Sequence, residues 1–131
     1  MRKLKGLIVM LFISLSLFGM TACSDGGANS YEQITPEQAK TIMDTESDFY
    51  LIDARTDEEF AEGHIADAIL IPEYEIAARA EKELPNKDAL ILVYCRSGRR
   101  SKIASEELVK LGYTNVKEFG GIIDWPYEVV K

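Results

Sequence analysis

The stretch "ALILVYCRSGRRS", residues 89–101, limits what this chain can fold into more than any other part of it. Its opening run to Tyr94 is almost wholly apolar, which is the habit of a strand buried on both faces inside a parallel sheet. Parallel neighbours need crossover connections, so helices must alternate with strands. The remaining segments fit that demand. "FYLIDAR" reads as a second buried strand, "AILIP" as a short one stopped by Pro72, and "NVKEF" as a last candidate. Before them, Thr35 and Gln38 stand at capping-box spacing around Pro36, which opens a helix in "TPEQAKTIM". "EYEIAARAEKEL" is helical by composition. Ala104, Leu108 and Leu111 share one helical face, and Gly112 ends that helix. "IIDWPYEVV" reads as a terminal helix or loop. The expected fold class is α/β, a single domain with a mainly parallel central sheet and helices on both faces. In such sheets ligands sit beyond the carboxyl ends of the strands, where Cys95 falls.

The loop after Cys95 runs Arg96, Ser97, Gly98, Arg99 and Arg100, and Ser101 opens the next helix. A tight strand-to-helix turn aims consecutive backbone N–H groups into one concavity, a nest for an anion. The helix start adds partial positive charge, and three guanidinium groups add formal charge. Each effect favours a thiolate over a thiol. Cys95 is the expected nucleophile, with residues 96–101 as its anion-binding surround. Arg96 and Arg100 are the stronger candidates for contact with a donor, while the side chain of Arg99 points outward in this reading. One histidine and one available cysteine make no credible metal site. The acidic "DEEFAE" reads most simply as a solvated face.

"CRSGRRS" resembles the active-site loop of the rhodanese family of sulfurtransferases, Cys-x-x-Gly-x-Arg-Ser/Thr. Two flanking segments resemble the family as well. "LIDARTDEEFAEGHIADAILIP" is similar to its Asp-x-Arg, Glu-Phe/Tyr, Gly-His-Ile and Ile-Pro elements, at Asp53, Arg55, Glu59, Phe60, Gly63, His64, Ile65 and Pro72. "LGYTNVKEFGGIIDW" is similar to its closing element, at Gly112, Tyr113, Val116, Gly120, Gly121 and Trp125. Ala66, Asp67 and Ala68 depart from the family's usual Pro-Gly-Ala, and Leu70 stands where asparagine is common. The resemblance implies a rhodanese-like domain over residues 31–131 that moves sulfane sulfur. Cys95 takes the outer sulfur of a small anionic donor such as thiosulfate, forms a persulfide, and passes the sulfur to a thiol or protein acceptor. No cofactor beyond that covalent intermediate is implied. Within this frame His64 orders its loop through hydrogen bonds, Asp53 and Arg55 form a supporting charge-assisted pair, and Trp125 is an anchor. Two other readings stay open. One is a non-catalytic persulfide carrier or docking module. The other is a cysteine-dependent phosphatase or arsenate reductase, although those use Cys-x5-Arg and only four residues separate Cys95 from Arg100.

The start of the chain reads differently. "MRKLKG" is basic, "LIVMLFISLSLF" carries no charge, and "GMTAC" ends at Cys23 after small residues. The apolar run suits an export signal better than a membrane span. The ending resembles the lipobox of bacterial lipoproteins, with Met20 where leucine is usual. The expected division is a signal peptide at 1–22, a lipidated Cys23 with a flexible tether to residue 30, and the domain beyond. That tether reaches about 15 Å. The expected location is the outer face of a bacterial membrane or the periplasm, with the lipid as the membrane contact. Losing Arg2, Lys3 and Lys5 and no acid takes the net charge from −7 to −10. Such a balance argues against nucleic-acid binding. The mature form is expected to be a monomer. With Cys23 consumed, Cys95 has no partner; an unpaired cysteine in an exported protein is either buried and inert or exposed and functional, and its surroundings favour the second.

Overall fold

The computed structural model describes residues 30–131. The readings of the signal segment, of Cys23 and of most of the tether therefore lie outside the described residues. Five strands and four α-helices follow in the order β1 (Glu32–Gln33), α1 (Pro36–Thr45), β2 (Phe49–Asp53), α2 (Asp57–Glu62), β3 (Ile69–Leu70), α3 (Ile76–Glu83), β4 (Leu90–Cys95), α4 (Arg99–Lys110) and β5 (Val116–Gly121). All strand pairs are parallel, in the order β1-β5-β4-β2-β3. The almost wholly apolar run of the sequence, β4, is the central strand of the sheet. No helix among the described residues is long and apolar enough to cross a membrane.

Alternation along β4 divides the core. Ile91, Val93 and Cys95 face one side, packed with Ile76 and Ala80 of α3 and with Ala104 and Leu108 of α4. Leu92 and Tyr94 face the other, packed with Ala39 of α1, Phe119 and Trp125. Helices thus cover both faces, as the sequence pattern requires. α1 begins at the expected capping box, with Thr35 Oγ1 accepting from the N–H of Gln38 and Gln38 Oε1 accepting from the N–H of Thr35.

Two segments differ from the sequence reading. Residues 32–33 form an edge strand too short and polar to betray itself; it pairs in parallel with Lys117 and Glu118, and the side chains of the same residues meet, Glu32 with Lys117 and Gln33 with Glu118. The acidic "DEEFAE" is not merely a solvated face. It is α2, capped reciprocally by Thr56 and Glu59, and Glu59 also receives Arg100 of α4 through two hydrogen bonds of 2.7 and 2.9 Å. That clamp ties the β2–β3 connection to the helix that follows Cys95.

The ends of β2 and β4 are joined by a buried polar network. Asp53 is fully buried and accepts from Arg55 Nε and Nη2, the closest contact being 2.7 Å. Arg55 Nη2 also donates to the carbonyl of Gly63, and Tyr94 donates its hydroxyl to Asp53 at 2.8 Å while accepting from the N–H of Ile65. Burial, followed by the neighbouring Asp53 charge, pushes the Tyr94 phenol well above its usual range. Every polar group in this network has a partner, so its desolvation is compensated.

Two outcomes follow. Asp53→Ala would strand a buried guanidinium and should lower unfolding free energy by about 3–5 kcal/mol, read from denaturant unfolding. The hydrogen bonds from Arg100 hold the Glu59 carboxyl at about 2, against an ordinary 4.5. A depressed acid stabilises the fold above its unfolded value and loses that contribution as pH falls towards the folded one. The stability advantage of the native protein over Glu59→Gln should accordingly be full above about pH 4.5 and fade as pH approaches about 2, in paired melts across that window.

Candidate active site

Cys95 is the last residue of β4, and α4 begins only four residues later. The connection can turn so sharply because Gly98 adopts φ 107°, a left-handed conformation that a side chain would strain. That turn folds the N–H of Gly98 back onto the sulfur, which it reaches at 3.0 Å. Ser101 Oγ approaches the same sulfur at 3.3 Å from the first turn of α4. The thiol therefore sits under a backbone donor and a hydroxyl at the amino end of a twelve-residue helix, where the peptide dipoles favour negative charge.

The loop is held down by β5. A Cβ on Gly121 would lie 1.9 Å from the carbonyl oxygen of Arg96, so only glycine allows the two backbones to meet. Arg96 O also accepts from the N–H of Ile123 at 3.2 Å, and Gly98 packs against Gly120. Here the structure departs from the choice the sequence offered between a buried inert thiol and an exposed working one. Cys95 is fully buried, yet its sulfur is covered by polar groups of its own loop rather than by the apolar core alone.

The three arginines separate. Arg96 and Arg99 are exposed, and neither joins an ion pair among the described residues. Arg100 is mostly covered and spends its fork on Glu59. That contact raises its pKa first, with smaller Coulombic contributions from Glu59, Cys95 and Asp53. Ser97 is exposed at the loop's crest, while Gly98 and Ser101 are buried. Asp53 and Arg55 form their pair at the end of the neighbouring strand β2. His64 is stacked on Phe60 with ring centroids 3.6 Å apart and with Nδ1 2.9 Å from the Phe60 carbonyl. It also bridges its backbone to Val130, pinning the end of the chain. Trp125 packs against Phe119 and Tyr127 in the core below α1.

Two site residues escaped the sequence reading as participants. Glu59 positions Arg100, and its signals were its place in the Glu-Phe/Tyr element and the capping-box spacing from Thr56. Glu118 lies behind the loop, where its carboxylate accepts from Ser101 Oγ at 2.7 Å and from the N–H of Gly120 at 2.8 Å. A charged residue in the middle of a strand segment was the available sign. Among the described residues no cluster of histidine, cysteine and acidic side chains could hold a metal ion.

Such a site can hold a small anion, or a negatively charged sulfur, against a fixed donor. Comparison with known proteins agrees in kind. Residues 35–126 match the model of the rhodanese-like domain. The chain is 39% identical over 80 residues to the thiosulfate sulfurtransferase PspE of Escherichia coli, covering 61% of this chain and 77% of that protein. It is 43% identical over 88 residues to a sulfurtransferase of Allochromatium vinosum, covering 66% and 79% respectively. Among solved structures, a rhodanese with anions from E. coli superposes with a TM-score of 0.60 at 37% identity, covering 63% of this chain and 98% of that one. By its domain match, its parallel sheet and its cysteine loop, this chain belongs to the rhodanese-like domain family.

Proposed function

We propose that this protein is a sulfurtransferase that carries sulfane sulfur as a persulfide on Cys95. One observation carries the reading: the N–H of Gly98 lies 3.0 Å from the sulfur at the head of α4, inside a loop only six residues long from Cys95 to Arg100. A loop of that size suits a single sulfur atom, whereas encircling a tetrahedral phosphate or arsenate takes a wider ring of amides. The relatives named as thiosulfate sulfurtransferase and sulfurtransferase support the same class of reaction.

The steps are those the family resemblance implies, and the geometry of the loop supports them. The thiolate of Cys95 attacks the outer sulfur of a donor such as thiosulfate, the donor's S–S bond breaks, and sulfite leaves with that electron pair. Loop amides stabilise the charge on the new terminal sulfur. A thiolate acceptor, free or on a protein, then takes that sulfur and restores Cys95. Splitting the transfer through a covalent intermediate gives ping-pong kinetics. No cofactor is required. Arg96 and Arg99 draw the anionic donor through the field of an acidic chain. A lipid on Cys23 would hold the domain, as a monomer, at the outer face of a membrane, and nucleic acid has no place in the reaction.

Cys95→Ser should abolish both thiocyanate formation from thiosulfate and cyanide and the mass gain of one sulfur atom after thiosulfate alone; retained activity would end the proposal. Replacing Arg96 and Arg99 together by alanine should raise KM for thiosulfate about tenfold with little change in kcat, since the loss is of binding common to ground and transition states.

A further inference from the structure

Glu118 is a carboxylate in the wrong place for a mere strand residue. It lies on β5 behind the cysteine loop and is 2% exposed. Among the described residues no lysine or arginine forms an ion pair with it. A buried carboxylate without a cation is costly unless hydrogen bonds or a proton compensate it. Its partners are neutral donors from each element around it: Ser101 of α4, the N–H of Gly120 on β5, and Gln33 Nε2 of β1 at 3.4 Å. Tyr31, just ahead of β1, also feels it; burial first, then the charges of Glu106 and Glu118, raise that phenol.

Ser101 joins this carboxylate to the nucleophile. Its hydroxyl has one proton, and four acceptors surround it: Glu118 Oε1 at 2.7 Å, the Gly98 carbonyl at 3.1 Å, the Gly120 carbonyl at 3.3 Å and Cys95 Sγ at 3.3 Å. The shortest contact, to a group able to carry charge, takes that proton. The oxygen is then free to accept from sulfur. The result is a line from Cys95 Sγ through Ser101 Oγ to Glu118 Oε1, continued by Gln33 at the exposed sheet edge.

We propose that Glu118 is a positioning residue that stores, through Ser101, the proton Cys95 gives up when it becomes a persulfide. The inference rests on the sulfurtransferase reading. As the S–H bond breaks, Ser101 accepts that proton and passes its own to Oε1, leaving a thiolate and a neutral carboxylic acid. The thiolate's electron pair forms the bond to the donor's outer sulfur, and sulfite departs with the electrons of the broken S–S bond. When an acceptor thiolate removes the outer sulfur, the bonding pair returns to Sγ and the proton returns along the same line. The pair of residues thus carries one negative charge at each stage rather than two. A dianionic donor meets less repulsion than it would from a thiolate beside a carboxylate.

The test is difference infrared spectroscopy on the full chain before and after thiosulfate, with mass spectrometry reporting the persulfide. A carbonyl band of a protonated carboxyl should appear with the persulfide, shift in heavy water, and be missing from Glu118→Gln and from Cys95→Ser. A persulfide formed without that band overturns the inference. If no persulfide forms, the sulfurtransferase reading has failed on its own, and the pair is judged without a donor. Thiolate ultraviolet absorbance against pH, with the Cys95→Ser spectrum subtracted, should then appear at about tenfold higher proton activity in Glu118→Gln, because the competing negative charge is gone. Glu118→Asp, which keeps the charge, should stay near wild type. An unchanged profile in Glu118→Gln overturns the inference. Should Glu118→Gln not fold, the wild type and Cys95→Ser alone decide the infrared comparison.

Discussion

The site depends on two backbones lying closer than side chains permit. The carbonyl of Arg96 rests where a Cβ of residue 121 would be, and this contact fixes the height of the loop above the sheet. With the loop at that height, the left-handed turn at Gly98 has one outcome: its N–H points down at the sulfur instead of out to water. The helix then starts at once, and its dipole bears on the same atom. A larger residue at 121 would not simply be tolerated with a shift. It would lift the loop, and the donor would leave with it.

Charge is arranged in layers around that contact. The chain is acidic as a whole, with a net charge of −7, yet the loop gathers three arginines. One of them, Arg100, is given to Glu59 and serves chiefly to bind α2 to α4. The other two keep exposed charges without ion-pair partners among the described residues. Neutralising Arg100 by Glu59 costs the site part of its positive field but secures the helix whose amino end supplies the rest. The burial of Cys95 belongs to the same arrangement. Under the loop, negative charge arriving on the sulfur meets the fixed N–H of Gly98, which needs no reorganisation during transfer.

Much of this was legible in the chain. The apolar run ending at Tyr94 announced the central strand because burial on both faces leaves no polar positions, and the Thr35 and Gln38 spacing announced the first helix because a cap is a local device. The cysteine loop was legible for the same reason, since its glycine, arginines and serine act within seven residues. What stayed hidden was non-local. β1 owes its existence to β5, whose paired residues lie 85 positions on, and nothing in "EQ" records that. The Glu59–Arg100 clamp and the Glu118–Ser101 bond join residues 41 and 17 positions apart, so neither leaves a periodic trace. The burial of the thiol was misjudged through a choice that was too coarse. Buried and exposed are not the only alternatives when a loop brings its own donors over the sulfur.

Two buried carboxylates flank this part of the sheet, and the contrast between them separates scaffold from chemistry. Asp53 meets a guanidinium in two-point contact, and a phenol and a backbone N–H complete its surroundings. Its charge has a fixed counterpart, so moving a proton there would break an ion pair and strand Arg55. Glu118 has only neutral donors, one of which is the hydroxyl shared with Cys95. Protonating it breaks no ion pair. A fold that places one carboxylate against a cation and the other against a relay has divided the work: the first holds the strand ends in register, and the second is free to change its charge in step with the sulfur.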